Sequence, residues 1–122
     1  MTATSSADVP QFEIGSERGP ADTVVVRVAG EVDMSREGEV RAELAGLDGL
    51  ERSGIVVDLT ECEFIDSSGV RALLLSQETE SGGGLAVAAS SDQILRILSV
   101  MGLDKVLPIR PTVDEAAAAL SD

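Results

Sequence analysis

Residues 54–75 read GIVVDLTECEFIDSSGVRALLL. The opening GIVVDL, 54–59, is a near-continuous apolar run, the pattern of a strand covered on both faces as in a parallel sheet. Phe64 and Ile65 then run into a hydroxyl-rich acidic corner, Asp66, Ser67, Ser68 and Gly69, and a solidly apolar stretch follows at once. Asp and Ser favour the mouth of a helix, where a side-chain oxygen takes up backbone N–H groups that the first turn leaves unpaired. A buried strand therefore turns sharply into a helix that begins near Val70.

The flanking segments repeat this alternation. Upstream, VVVRV at 24–28 is a β-branched run ending at Ala29-Gly30, and Phe12–Ile14 suits a short strand. GSERGPAD between them is rich in turn formers, so a hairpin or wide loop joins the two. EVDMSREGEVRAELAGL at 31–47 carries Val40, Leu44 and Leu47 at helical spacing, with Asp33 or Ser35 as the cap. Gly38 weakens that helix by about 1 kcal/mol relative to alanine and favours a late start.

Downstream, leucines at 73, 74 and 75 predict a helix apolar around most of its girth and well covered, ended by SGGG at 81–84. Leu85–Ala89 predicts a strand. SSDQILRILSVMGL opens on a Ser/Asp cap, carries a stripe of Ile94, Ile97, Leu98 and Met101, and stops at Gly102. Val106–Ile109 predicts a short last strand, with Pro108 marking a sheet edge. Thr112 caps VDEAAAAL, whose acidic first turn suits the helix dipole. This order predicts one α/β domain: a mixed, mostly parallel sheet of about four or five strands packed with about four helices. Residues 1–10 are expected to form a flexible lead-in, and 11–122 the domain.

Composition narrows the function. The chain has 122 residues, long enough for one core, and its only aromatics are two phenylalanines, so the core is aliphatic. Twenty-two acidic residues face nine basic ones, a net charge of −13, with no basic stripe. Nucleic acid and anionic membranes are repelled by such a surface, and a partner with a basic face suits it. There is no histidine, which excludes Ser-His-Asp and Cys-His catalysis and every imidazole metal centre. No cofactor, no metal and no enzymatic activity are expected. Cys62, the single cysteine, reads as a small buried hydrophobe in a reducing compartment, so a cytoplasmic location is expected. No apolar run approaches the about 18 residues of a membrane span, and MTATSSADVPQ lacks the features of a secretory signal.

The corner admits several roles on its residues alone. Asp66, Ser67 and Ser68 are all good N-caps, each worth about 1 kcal/mol, yet one cap uses one side chain and leaves a hydroxyl without a structural duty. A helix N-terminus could cradle an anion, although one glycine and no following lysine make a poor P-loop. A nucleophilic serine would lack both the G-x-S-x-G setting and a base. A serine phosphorylated by another protein is a third functional role beside these and simple capping, since a helix N-terminus tolerates the added charge.

The stretch VVDLTECEFIDSSGVRALL resembles the signature of STAS domains, in the branch of bacterial anti-sigma factor antagonists. The resemblance extends to AGEVDMS at 29–35, to GGLAVAASSDQILRILSVMGLDKVLPI at 83–109 and to the alanine-rich last helix. It implies that Ser67 is the phosphorylation site, and that Asp33, Asp66, Ser68, Gly69 and Val70 contact the partner. It implies a partner too: an anti-sigma factor that is itself an ATP-dependent serine kinase. The unphosphorylated form would bind that partner and free a sigma factor, phosphorylation would break the complex, and a serine/threonine phosphatase would restore it. The family's G-E-x-D element falls on Gly30, Glu31 and Asp33, beside the serine loop, and Asp58 takes a structural position.

Glu61, Glu63, Met34 and Gly38 depart from the family's usual residues. So does Arg71, which is either solvated or paired with a phosphate on Ser67. A monomer is expected for the free chain. Two other roles stay open: a STAS scaffold or sensor indifferent to phosphorylation, and a small enzyme or nucleotide-binding protein using Asp33, Asp66 and Ser67.

Overall fold

The structure, a computed structural model, describes residues 12–79 and 83–121. The expected lead-in at 1–10, and Ser81 and Gly82 of the SGGG stop, lie outside the described residues. In chain order the elements are β1 (Glu13–Arg18), β2 (Val24–Val32), α1 (Glu37–Ala45), β3 (Ile55–Ile65), α2 (Ser67–Thr79), β4 (Leu85–Ala88), α3 (Asp92–Val100), β5 (Ile109–Arg110) and α4 (Val113–Ser121). The strands form one sheet in the order β1-β2-β3-β4-β5. The hairpin pair β1–β2 is antiparallel; the pairs β2–β3, β3–β4 and β4–β5, each joined through a helix, are parallel.

Side-chain alternation along the strands divides the core in two. Val24, Val26 and Val28, Ile55, Val57 and Leu59, and Leu85 and Val87 pack in one cluster with Val40 and Leu44 of α1, Val70 and Leu73 of α2, and Ile94 and Leu98 of α3. Val25, Val56, Ala86 and Ala88 pack in the other with Ala116 and Ala117 of α4. The continuous apolar runs of β2, β3 and β4 thus follow from cover on both faces. Each fully buried Val or Leu contributes about 1.5–3 kcal/mol.

Several helix ends match the sequence. Ser91 Oγ accepts from the Ile94 amide at 3.5 Å, and Thr112 Oγ1 from the Glu115 amide at 3.1 Å. Gly102, at φ 80°, provides the left-handed residue just beyond the Met101 end of α3.

Three expectations are corrected. β3 runs on past Leu59 to Ile65, an eleven-residue strand. Among the described residues its pairing with β4 ends at Asp58, and its upper half pairs with β2 alone across two register irregularities. Cys62 and Ile65 are buried there while Thr60, Glu61, Glu63 and Phe64 are exposed, so the apolar run ends before the strand does. The predicted strand at Val106–Ile109 is instead Ile109–Arg110, because Leu103–Lys105 forms a 3-10 turn and Leu107 takes the core position, leaving Val106 exposed. Of the three leucines in α2, Leu73 is buried and Leu74 half-buried, but Leu75 is exposed beside the groove between α1 and α2.

Candidate functional site

The corner between β3 and α2 is built around Asp66. Its Oδ1 accepts from the Ser68 amide at 3.0 Å, the Ser68 hydroxyl at 2.6 Å and the Gly69 amide at 3.2 Å. Its backbone carbonyl accepts from the Val70 amide at 3.1 Å, while its own amide donates to the Val32 carbonyl of β2 at 3.1 Å. Asp66 is therefore the N-cap, and it also restrains the Ser68 hydroxyl. The same bonds occupy the amides that an anion cradle would need free. Ser67, the first residue of α2, is exposed, and its hydroxyl has no hydrogen-bond partner among the described residues.

Gly69 is where the helix comes down onto the strand ends. A Cβ at this position would stand 2.7 Å from Ile65 Cγ1 and 2.9 Å from Val32 Cγ1, so only glycine allows the approach. Gly69 and Val70 are buried, Val70 completely. This corrects their expected place at the partner surface: both shape the corner from beneath and offer no side chain to a partner.

The loop after β2 repeats the motif. Asp33 Oδ1 accepts from the Ser35 amide at 2.9 Å and the Ser35 hydroxyl at 2.6 Å. Hydrogen bonds from the Ser35 side chain and amide hold the Asp33 carboxyl below its usual range. Neither Asp33 nor Ser35 caps α1, whose N-cap is Arg36 with no side-chain cap, so that expectation is corrected. Asp58 makes the turn a third time, accepting from the Thr60 amide at 3.0 Å and hydroxyl at 2.7 Å. Being buried and 3.8 Å from Arg27 Nε, Asp58 has a structural role.

Val32 lies opposite Ile65 in the parallel register, so the Asp33–Ser35 loop and the Asp66–Ser68 corner emerge side by side. Asp33, Asp66, Ser67 and Ser68 are thereby brought to one end of the sheet. Met34 of the loop, 76 % exposed, and Phe64 near the end of β3, 40 % exposed, stand at the same end of the sheet. Their place on the surface was not foreseen from sequence; the available signal for Met34 was an apolar residue in the middle of an Asp-x-Ser turn. Arg36 sits over the Phe12 ring, 4.9 Å from its centroid.

Beneath this surface Cys62 is buried, its thiol donating to the Phe64 carbonyl at 3.3 Å. Burial pushes the thiol pKa up to about 11, which makes it a poor nucleophile at neutral pH. Among the described residues no three Cys, Asp or Glu side chains converge as a metal site, and no helix is long and apolar enough to cross a membrane.

Fold and corner together define a small α/β domain that presents, at a capped strand–helix junction, an exposed hydroxyl with no partner among the described residues. Residues 16–110 match the family described as Mlab, STAS domain, and the chain belongs to the STAS domain family. The anti-sigma F factor antagonist of Paenibacillus polymyxa is 30% identical over 102 residues, covering 81% of this chain and 85% of the relative. The crystal structure of an anti-sigma factor antagonist from Mycobacterium paratuberculosis superposes with a TM-score of 0.83 at 28% identity, over 92% of this chain and 96% of the other. The Bacillus cell fate determinant SpoIIAA, in its phosphorylated form, gives a TM-score of 0.60 at 25% identity, over 87% and 97% of the two chains.

Proposed function

We propose that the protein is an anti-sigma factor antagonist whose grip on its partner is set by phosphorylation of Ser67. The observation that carries this reading is the division of labour at the corner. Asp66 and Ser68 are bonded to each other and to the helix end, whereas the Ser67 hydroxyl is exposed and has no partner among the described residues. The names of the Paenibacillus and mycobacterial relatives support the antagonist role, and the phosphorylated form of SpoIIAA supports control by phosphorylation.

The partner is an anti-sigma factor with serine kinase activity. Unmodified, the antagonist docks through the paired loops, with Asp33, Asp66 and Ser68 around Ser67 and with Met34 and Phe64 adding apolar contact. In the kinase step Ser67 Oγ forms a bond to the γ-phosphorus of ATP as the bond to the bridging oxygen breaks. ADP leaves, and the hydroxyl proton passes to a base of the kinase. The phosphate adds about −1.5 to −2 charge at the centre of the contact. Losing about 3 kcal/mol there weakens binding over a hundredfold. The fold is untouched, because the cap uses Asp66 and not Ser67. A serine/threonine phosphatase would reset the switch. The protein itself is a binding module and not an enzyme, and works in the cytoplasm.

Incubation with the cognate kinase and ATP, followed by intact-mass measurement, tests the assignment. Wild type is expected to gain one phosphate and Ser67→Ala none. A phosphate on the alanine variant overturns the choice of residue, and equal partner affinity for both forms overturns the switch.

A further inference from the structure

We propose that Arg71 is the intramolecular receptor of the phosphate on Ser67, closing an ion pair one turn along α2 that steadies the modified form. The proposal rests on Ser67 being the acceptor and adds how the off state is held.

The first argument is spacing. Residues 67 and 71 both lie in α2, and positions i and i+4 are neighbours on a helix surface, about 5–6 Å apart between Cβ atoms. An anion four residues N-terminal to a cation is the more favourable order of the two. The second argument is availability. Arg27, Arg36 and Arg41 each hold a carboxylate, but Arg71 is exposed and has no hydrogen-bond or ion-pair partner among the described residues. That leaves a bare guanidinium on a chain of net charge −13.

The third argument is the scarcity of competing donors, the Ser67 amide being the one left at the helix start among the described residues. A phosphate at a helix start ordinarily takes the first free amides. Here the Ser68 and Gly69 amides are held by Asp66 Oδ1, and the Val70 amide by the Asp66 carbonyl. The surrounding charges are mostly of the wrong sign: Asp66 at the corner, Glu63 on β3, Glu31 on β2 and Asp33 in the adjoining loop. Arg36 of that loop is the other nearby cation, and its Nη1 lies 3.0 Å from Glu39 Oε1 while its guanidinium covers Phe12. Arg71 is thus the cation left for the phosphate. A bidentate guanidinium–phosphate contact would also shield the ester from the phosphatase.

The test installs phosphoserine at position 67 by coded incorporation, so that it does not depend on any kinase. Phosphorus NMR then follows the second ionisation of the phosphate, ordinarily near about 6. Wild type is expected to titrate about 0.3–0.5 unit lower than Arg71→Gln, a two- to threefold change in proton affinity that shrinks in high salt. Arg71→Lys should retain part of the difference, and Arg96→Gln, on α3, should match wild type. Identical titrations of wild type and Arg71→Gln overturn the proposal, as does a larger effect from Arg36→Gln. Thermal unfolding of the unmodified variants checks that each is folded. A chain that its cognate kinase does not modify at Ser67 would end the assignment of the acceptor while this ion pair is still measured.

Discussion

Removing the Asp66 carboxylate leaves the Ser68 and Gly69 amides and the Ser68 hydroxyl without their acceptor. Asp66→Ala is therefore expected to lower stability by about 1–2 kcal/mol, read as a shift of the urea midpoint. Ser67→Ala, which deletes an unbonded hydroxyl, should stay within about 0.5 kcal/mol of wild type. Equal losses from the two variants would contradict the assignment of the cap. Sequence alone could not choose among Asp66, Ser67 and Ser68, because all three are good N-caps; the choice depends on which oxygen meets the second and third amides. Val70 was misplaced for a related reason: adjacency to the corner in sequence says nothing about which side of the helix faces the sheet.

Cys62 gives a residue-level expectation in pH. Its folded pKa, about 11, stands above the ordinary thiol value of 9.0. The unfolded chain therefore loses its thiol proton first, so this contribution to stability is complete below about pH 9 and declines as pH rises toward 11. Alkylation by iodoacetamide at pH 8 should be slow in the native protein and fast once urea unfolds it. Rapid native labelling would show that the thiol is reachable.

At the scale of elements, α4 explains its own composition. Ala116 and Ala117 are buried against Val25, Val56, Ala86 and Ala88, so the helix lies close on a sheet face of small side chains. Ala116→Leu is expected to overpack this layer and destabilise by about 1–3 kcal/mol, whereas the exposed Ala118→Leu should be nearly neutral. Denaturation with urea separates the two, and equal midpoints would mean that α4 is not held where described. The order of strands and helices was legible because apolar periodicity reports burial. What escaped was geometry that burial does not report. The overhang of β3 beyond β4 keeps strand conformation with half its side chains in water, and a left-handed Gly102 leads into a 3-10 turn just before the apolar run that suggested a strand. The three Asp-x-Ser/Thr turns were present in the letters, but their hydrogen bonds compete with helix capping and only coordinates separate the two.

For the whole molecule the net charge of −13 bears on encounter with a basic partner more than on the fold. Raising ionic strength from about 0.01 M to about 1 M shortens the screening length from about 30 Å to about 3 Å. The association rate with such a partner is expected to fall at least about tenfold over that range, with dissociation much less affected, as stopped-flow mixing would record. A salt-independent association rate would mean that the acidic surface plays no part in recognition.

The sheet is open, and an open sheet invites strand-to-strand growth between molecules. Each exposed margin here is blunted: β1 carries Glu13, Glu17 and Arg18, the overhang of β3 carries Glu61 and Glu63, and β5 is two residues long between Pro108 and Pro111. Charges and prolines so placed disfavour edge-to-edge pairing between copies of the chain.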